Sequence, residues 1–387
     1  MRETNHSTVT PRERASEAGF SLIEMLVTAI VFSLVVGTAL ALLARHQPLY
    51  KQQQNRAALN ISMRNAVAQM QTDMVGGGAG YYTGINIPNW PVGVVINNNV
   101  VASGGDCHSG TTYGSNCFDS LTVIASDPAT TPVNTLAGAS GTLPVAAGSC
   151  ASNTLDTSAT TSIYVLPPTG VTAATYAASF HTGDQVLLVK SDGSKYTTVK
   201  VTGISTPTVG VSTYVLLAHS TMTQSNGTNA SADDITGMSV NSSDQTTSQF
   251  CAADWLVRLA PVKYDVDITT DPTNPTLRRT VLVAGNTPST SGVALMNQVI
   301  GFKVGAALVD NTGSTDVATY NFDSSTFKLT GAAAGYDYTM VRSVMVSLIG
   351  RTSPQLEPTY VYRNAFDGGP YQIEGISVVI NPRNMSM

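Results

Sequence analysis

Charged residues are scarce in this chain, and so are histidine and cysteine. Only 12% of the 387 residues are Asp, Glu, Lys or Arg, and there are 5 histidines and 4 cysteines. The net charge of −5 leaves no basic footprint for nucleic acid. No glycine-rich phosphate loop, HExxH or GxSxG sequence is present. These absences argue against a nucleic-acid-binding protein and against an enzyme, and we expect no cofactor.

The residues that are abundant favour a β-rich body with long polar loops. Hydrophobic residues make up 42% of the chain, which is enough for a sizeable core. Outside its N-terminal part the chain is dominated by Gly, Ser, Thr, Asn and Ala. Together with the N-terminal helix described next, this composition predicts an α+β fold: a long α-helix, with its first half in the membrane, packed against a C-terminal antiparallel β-sheet head.

An apolar segment occupies residues 20–44 and carries a single charge, Glu24. At about 1.5 Å per residue it is long enough to cross the hydrocarbon core as a helix. The small residue Gly19 precedes the apolar segment, whereas an ordinary secretory signal is cut after it. Cleavage at Gly19 would therefore leave the helix on the protein. Since an isolated carboxylate in a membrane is costly by a few kcal/mol or more, Glu24 is expected to have a partner and a function.

Gly19, Phe20 and Glu24 resemble the class III signal of type IV prepilins and pseudopilins. The resemblance implies that prepilin peptidase cuts after Gly19 and methylates the new N-terminus, Phe20. It also implies that Glu24 pairs with the free amine of a neighbouring subunit during assembly. Two charges that are each unfavourable in lipid become tolerable when they meet, which would set the register between helices. The alternative is a lone acid in an ordinary signal anchor.

The helix is predicted to continue beyond the membrane to residue 75. An apolar stripe recurs at helical spacing, formed by Leu59, Met63, Ala66, Met70 and Met74. The glycine-rich run 76–80 should end the helix, and Pro48 should kink or interrupt it. The predicted organisation is a leader (1–19), a pilin helix (20–75) and a head (76–387). Basic residues flank the apolar segment on both sides, so only the resemblance implies a cytoplasmic leader.

Short β-like runs alternate with turn-rich stretches throughout the predicted head. We expect an antiparallel sheet with a long insertion at about 100–250, and a mobile polar loop at 221–249. The predicted strands are 92–101, 120–125, 162–166, 185–190, 196–202, 209–217, 255–268, 280–284, 299–309, 340–349, 359–362 and 372–380.

Several segments of the body resemble the PilW-type minor pilins, relatives of the J-type pseudopilins of type II secretion. They are Asp119–Val123, residues 182–189 with 196–202, residues 295–304 and residues 341–351. The resemblance implies a minor pilin that helps to initiate type IV pilus assembly near the filament tip. Its implied partners are the major pilin, other minor pilins, prepilin peptidase, the inner-membrane assembly platform and membrane lipid. It implies a single-pass inner-membrane protein with a periplasmic head that later reaches the cell surface. The alternatives are a J-like pseudopilin and a tip adhesin.

The four cysteines, Cys107, Cys117, Cys150 and Cys251, suggest two disulfides in an exported body. We favour Cys107–Cys117, because the short loop between them can fold back, and this leaves Cys150–Cys251. A metal site at Cys107 and His108 is the rival interpretation, although no CxxC pair or histidine spacing favours it. A loop with alternating oxygen side chains is a weak calcium candidate, formed by Asp310, Thr312, Ser314 and Asp316.

Overall fold

A computed structural model describes most of the chain in two units, Met1–Asn55 and Arg56–Met387. We call the second the head unit. The described residues are 21–78, 93–99, 107–136, 154–155, 162–191, 196–209, 212–219, 224–225, 228–229, 250–251, 254–282, 292–308, 317–323, 341–354 and 362–382.

The long helix α1 spans Leu22–Val75, as its apolar run and terminal glycines predict. It continues through Pro48 without interruption, so the expected break is absent. A proline removes one backbone donor from a helix, and the remaining hydrogen bonds of α1 hold the helix together across it. The other described helical segments are α2 at Ala173–Ala177 and a 3₁₀ turn at Ser115–Cys117.

The described strands range from two to eleven residues. In chain order they are β1 Val94–Asn97, β2 His108–Ser109, β3 Thr112–Tyr113, β4 Ser120–Val123, β5 Val133–Leu136, β6 Thr154–Leu155, β7 Ser162–Val165, β8 Gln185–Val189, β9 Tyr196–Ser205, β10 Thr208–Val209, β11 Ser212–Thr213, β12 Val215–His219, β13 Gln224–Ser225, β14 Thr228–Asn229, β15 Phe250–Cys251, β16 Trp255–Arg258, β17 Val262–Asp267, β18 Thr276–Val281, β19 Val293–Met296, β20 Val299–Leu308, β21 Val317–Thr319, β22 Val341–Arg351 and β23 Ile373–Ile380.

Two antiparallel sheets share one core with the last turns of α1. One sheet has the order β1-β4-β17-β18-β19, and the other has the order β21-β20-β22-β23. The predicted stripe of α1 is buried among them, together with Val67. Burial of these six apolar side chains along about four turns fixes this part of α1 to the sheets. The stripe is thus ordinary packing between helix and head.

Six strands between β4 and β17 form a closed antiparallel barrel with the order β12-β7-β5-β16-β8-β9. The barrel has its own core, to which Tyr176 of α2 and the nearby Phe180 contribute. It overlaps the predicted insertion at about 100–250 but begins and ends later, from Val133 to Arg258, because residues such as Tyr113 and Leu121 belong to the core of the sheets. The insertion begins and ends at β4 and β17, two strands that are neighbours in the five-stranded sheet.

Strand pairing places the two ends of the barrel unambiguously. Ser126 pairs with Leu259, and the amide of Asp127 donates to the carbonyl of Arg258 at 2.8 Å, so one end joins the five-stranded sheet. The registers place the described strand ends Leu136, Ser162, Val189, Tyr196, His219 and Trp255 at the opposite end of the barrel, which we call the free end. Strand β6, between β5 and β7 in the sequence, pairs with β15, which lies between β12 and β16 in the sequence.

The long helix enters and leaves the head unit at opposite ends of its two sheets. Where α1 ends, the amide of Gly78 donates to the carbonyl of Ile124 at 2.8 Å, beside the barrel junction. Where α1 enters the unit, Arg56 forms an ion pair with Glu374 of β23. The barrel is therefore attached at the end of the head unit farthest along α1 from Arg56.

Most predicted strands are present, and three need correction. The run 255–268 is two strands, β16 in the barrel and β17 in the sheet, because the chain crosses the junction at Pro261. The run 209–217 is broken into short pieces, and the run predicted at 280–284 begins earlier, at Thr276. Strands β5, β19 and β21 were not predicted, nor were the two-residue strands β2, β3, β6, β13, β14 and β15. The run 359–362 and most of 221–249 lie outside the described residues.

Candidate assembly segment and its connection to the head

The first turn of α1 carries Glu24, the acid expected to act in assembly. The carbonyl of Ser21 accepts from the amides of Glu24 at 2.9 Å and Met25 at 3.1 Å, so the helix is fully formed there. Glu24 and the apolar residues around it are exposed. Gly19 and Phe20 lie outside the described residues, so the predicted cleavage site and amine partner stay predictions.

Three hydroxyl groups in the apolar half of α1 bond to the backbone of the helix itself. Thr28 donates its hydroxyl to the carbonyl of Glu24 at 2.8 Å, and Ser33 and Thr38 make equivalent bonds to Ile30 and Val35. Such internal bonds are what a helix needs where no water is present. Among the described helices, α1 alone is long and apolar enough to cross a membrane.

A carboxylate near the end of α1 ties the helix to the five-stranded sheet. Asp73 accepts from Arg279 of β18 through both of its oxygens, at 2.6 and 3.2 Å. The hydroxyl of Tyr264 on β17, whose side chain is fully buried, donates to Asp73 Oδ2 at 2.5 Å. Burial raises the pKa of Tyr264, and the hydrogen bond to Asp73 raises it further, so Tyr264 stays a neutral donor. This cluster fixes the rotation of α1 about its axis and its axial position along the sheet.

A second buried carboxylate joins the two sheets. Asp119, directly before β4, accepts from the Lys303 ammonium at 2.8 Å and from the Val304 amide at 2.9 Å, both on β20. The amide of Asp119 in turn donates to the carbonyl of Phe302 at 2.8 Å. The segments 119–123 and 295–304 are therefore in direct contact through this carboxylate.

Two glycines cross where α1 ends. Gly93 has a φ of 70°, and a Cβ on it would lie 2.0 Å from the amide nitrogen of Gly78. Only glycine fits such a close approach of two backbones. The crossing brings the start of β1 against the end of α1.

The disulfide Cys107–Cys117 is present and closes the hairpin of β2 and β3, which is the pairing that the short loop predicts. The cysteine of the rival metal site is therefore engaged in a disulfide. His108 contacts the rings of Tyr113 and Phe366, at centroid distances of 5.6 and 4.6 Å. No group of three or more metal-binding side chains is found among the residues that the structure describes.

The remaining predicted site residues cannot be placed. Cys150 lies outside the described residues, as do the calcium candidates Asp310, Thr312, Ser314 and Asp316. Only the backbone of Cys251 is described, and it pairs with Thr154, four residues after Cys150 in the sequence. The pairing Cys150–Cys251 therefore remains a prediction.

Sequence reasoning missed the polar cluster at the barrel junction. Arg258 of β16 donates from Nε to Asp184 at 2.8 Å and forms an ion pair with Asp127 through Nη1. Burial raises the pKa of Asp127, but bonds from Ala129, Thr130 and Arg258 outweigh that effect and lower it. Asp127 is 131 residues from Arg258 in the sequence. The one sequence signal that could have drawn attention to these residues is that charged residues are rare in this chain.

Comparison with known proteins agrees with the N-terminal sequence. Residues 14–40 match the family model described as the prokaryotic N-terminal methylation motif, a range that includes Gly19, Phe20 and Glu24. No curated protein matches. Among solved structures, a type IV-like pilin from Thermus thermophilus matches with 11% identity, 56% coverage of this chain, 94% coverage of that chain and a TM-score of 0.19, too low to support an argument. The chain therefore carries a prokaryotic N-terminal methylation motif at the start of a long helix that is followed by antiparallel sheets.

Proposed function

We propose that this chain is a minor pilin that helps to initiate type IV pilus assembly and remains at or near the filament tip. The observation that carries the proposal is the methylation motif at 14–40, placed directly before an exposed apolar helix that continues into a folded head unit. Prepilin peptidase would cut after Gly19 and methylate Phe20. The protein would then stand in the inner membrane, with its head in the periplasm, until assembly carries it to the cell surface.

The proposed mechanism is physical and involves no catalysis by this chain. Lipid holds the apolar half of α1 until neighbouring pilin helices replace the lipid around it. The carboxylate of Glu24 meets the amine of a neighbouring subunit and fixes the axial register, because each charge alone is costly in the membrane. Asp73 and Arg279 connect α1 firmly to the sheets, so that docking of the helix also positions the head.

The size of the head unit supports the presence of few copies of this protein in each filament. A barrel of six strands is added to the two sheets, and such a body is difficult to repeat densely along a thin shaft. The same barrel distinguishes the chain from the smaller J-type pseudopilins, which resemble it at the N-terminus. The phenotype of a strain that lacks the gene distinguishes a pilus subunit from a pseudopilin, because loss of a pseudopilin would impair export of secreted enzymes.

The decisive test counts surface pili in a strain that lacks the gene, with retraction disabled in parallel. We expect pili to disappear, to return with the wild-type gene and to stay absent with Glu24→Ala. Glu24→Asp keeps the charge and should restore part of the assembly. Normal pilus numbers without the gene would contradict a role in initiation.

A second candidate function is adhesion by the barrel. It is favoured by the strand registers, which place at the free end of the barrel the residues that flank two long connections in the sequence, Leu136 with Ser162 and His219 with Trp255. These connections are rich in Ser, Thr and Asn, residues suited to hydrogen bonding with polar surfaces. Replacing residues 128–257 with a short glycine–serine linker should then abolish attachment to host cells or glycans while pili persist. Unchanged attachment would exclude this function.

A further inference from the structure

Arg351, near the end of β22 where α1 enters the head unit, is a buried cation. Only 3% of the residue is exposed. Its Nε donates to Gln298 Oε1 at 2.6 Å, Nη1 donates to the Tyr371 hydroxyl at 3.0 Å and to the Thr111 carbonyl at 3.3 Å, and Nη2 donates to the Thr273 carbonyl at 2.6 Å. All four acceptors are neutral.

The charge of Arg351 lacks a direct counterion in the part of the chain that the structure describes, where no carboxylate oxygen lies within 4.0 Å of it. The guanidinium instead lies over the rings of Tyr371 and Tyr113, at 4.7 and 5.4 Å from their centroids. Both tyrosine hydroxyls donate to Asp367. The Tyr371 hydroxyl therefore stands between the Asp367 carboxylate and the Arg351 guanidinium. A buried cation in this state gains from an anion that contacts it directly.

Arg351 forms part of the wall of a cavity of about 260 Å³. Four segments converge on it: the disulfide hairpin, the turn between β17 and β18, the end of β22 and the turn before β23. Sites for drug-sized ligands usually measure about 300–1,000 Å³, so this one suits a single side chain better than a cofactor or sugar chain. Its other walls include Thr112, Pro272, Pro354, Pro370 and Tyr371.

We propose that this cavity receives the carboxylate of an Asp or Glu side chain from a neighbouring filament subunit. Arg351 supplies the positive charge that a carboxylate requires. The proposal rests on the proposed function, because its occupant is another subunit. The cavity lies at the end of the head unit opposite the barrel, so a subunit docked here would leave the free end of the barrel uncovered.

Site-specific photo-crosslinking of the full-length protein in piliated cells tests the proposal. A benzophenone amino acid replaces Pro272, which is exposed at the rim of the cavity. The test compares Thr112, Thr112→Asp and Thr112→Asn. Thr112 is exposed and outside the hydrogen bonds of Arg351, so the two variants differ only in a charge at the rim. We expect a crosslink to a peptide of another pilus subunit that contains Asp or Glu. Its yield should fall at least tenfold with Thr112→Asp and less than twofold with Thr112→Asn.

Several outcomes would overturn the proposal. They are equal yields in the two variants, no crosslink to a filament subunit, a crosslink to lipid, and a crosslink to the chain's own segment around Glu357, three residues after Pro354 in the sequence. Pilus number and cleavage before Phe20 are measured in the same cells. Normal processing and piliation with equal yields would refute the cavity alone, whereas an uncut leader would refute the proposed function.

Discussion

Asp73 of α1 and Arg279 of β18 form a two-point ion pair, with Arg279 Nε 2.6 Å from Asp73 Oδ2 and Nη2 3.2 Å from Oδ1. Both side chains are largely buried, and the hydroxyl of Tyr264 donates to the same carboxylate. The pair lies between the helix that carries the methylation motif and the sheet into which the barrel is inserted. It therefore connects the proposed assembly segment to the proposed recognition module.

Asp73→Asn should destabilise the head unit. The substitution keeps the shape of the side chain but removes a charge-assisted pair of bonds, and it leaves Arg279 partly buried without its partner. We expect the free energy of unfolding to fall by about 2 kcal/mol. Urea unfolding of the detergent-solubilised full-length protein, followed by tyrosine fluorescence, measures this. Thr72→Ala, at the preceding and exposed position, should change the free energy of unfolding by less than about 0.5 kcal/mol. Equal effects of the two substitutions would contradict the role of the pair.

Gly93→Ala should be far more harmful than Gly170→Ala. Both glycines have a positive φ, 70° and 85°, so both substitutions incur about 1 kcal/mol of backbone strain. At Gly170 a Cβ has open space, but at Gly93 it would lie 2.0 Å from the Gly78 nitrogen. We expect a total loss of about 2–4 kcal/mol at Gly93, measured by the same unfolding assay. A loss at Gly93 no greater than that at Gly170 would show that the end of α1 and the start of β1 do not cross closely.

Acid should weaken the turn between β17 and β18 through Asp267. Burial raises the pKa of Asp267, but hydrogen bonds from Thr270 and Thr269 outweigh burial and lower it from 3.8 to about 2. Because the pKa of Asp267 is lower in the folded state than in the unfolded state, ionised Asp267 stabilises the fold at any pH above the unfolded-state pKa. This contribution is lost as pH falls from about 4 to about 2. It amounts to about 2 kcal/mol at neutral pH.

The comparison of wild type with Asp267→Asn measures that contribution directly. The difference in unfolding free energy between them should be largest above pH 5 and should shrink towards pH 2. Asp271→Asn, in the same turn but fully exposed, serves as the control and should have a smaller effect. A pH-independent difference for Asp267→Asn would contradict the assignment.

The disulfide Cys107–Cys117 and the predicted pairing Cys150–Cys251 are tested together in the oxidised protein. Peptide mapping without reduction should find Cys107 joined to Cys117 and Cys150 joined to Cys251. Replacing Cys107 and Cys117 together with alanine should cost about 2–3 kcal/mol, because the unfolded chain regains the freedom of a loop of about ten residues. Detection of Cys107 joined to Cys150 or Cys251 would contradict the hairpin, and free thiols at Cys150 and Cys251 would contradict the second pairing.

The helix and its buried face were predictable from the sequence because their signals are local. An apolar run, a stripe at steps of three and four, and a glycine run fix α1 at Leu22–Val75, with Met70 and Met74 fully buried. Glu24 stood out because it is the single charge in that run. The break considered at Pro48 is absent, since α1 continues through it, and the kink stays a prediction.

The barrel and the charged clusters were not predictable, because they depend on contacts between distant segments. Closure of the barrel requires β12 to pair with both β7 and β9, and no local pattern specifies that choice. Asp119 and Lys303 are 184 residues apart, and Asp73 and Arg279 are 206 apart. The run 255–268 looked like one strand because its apolar pattern continues across the junction at Pro261.

Intact-mass spectrometry of this protein from sheared surface filaments tests the central claim most directly. The account predicts a mature chain that starts at N-methylated Phe20 and is present in the filament fraction in few copies per filament. A protein found only in the membrane fraction, with residues 1–19 still attached, would contradict it.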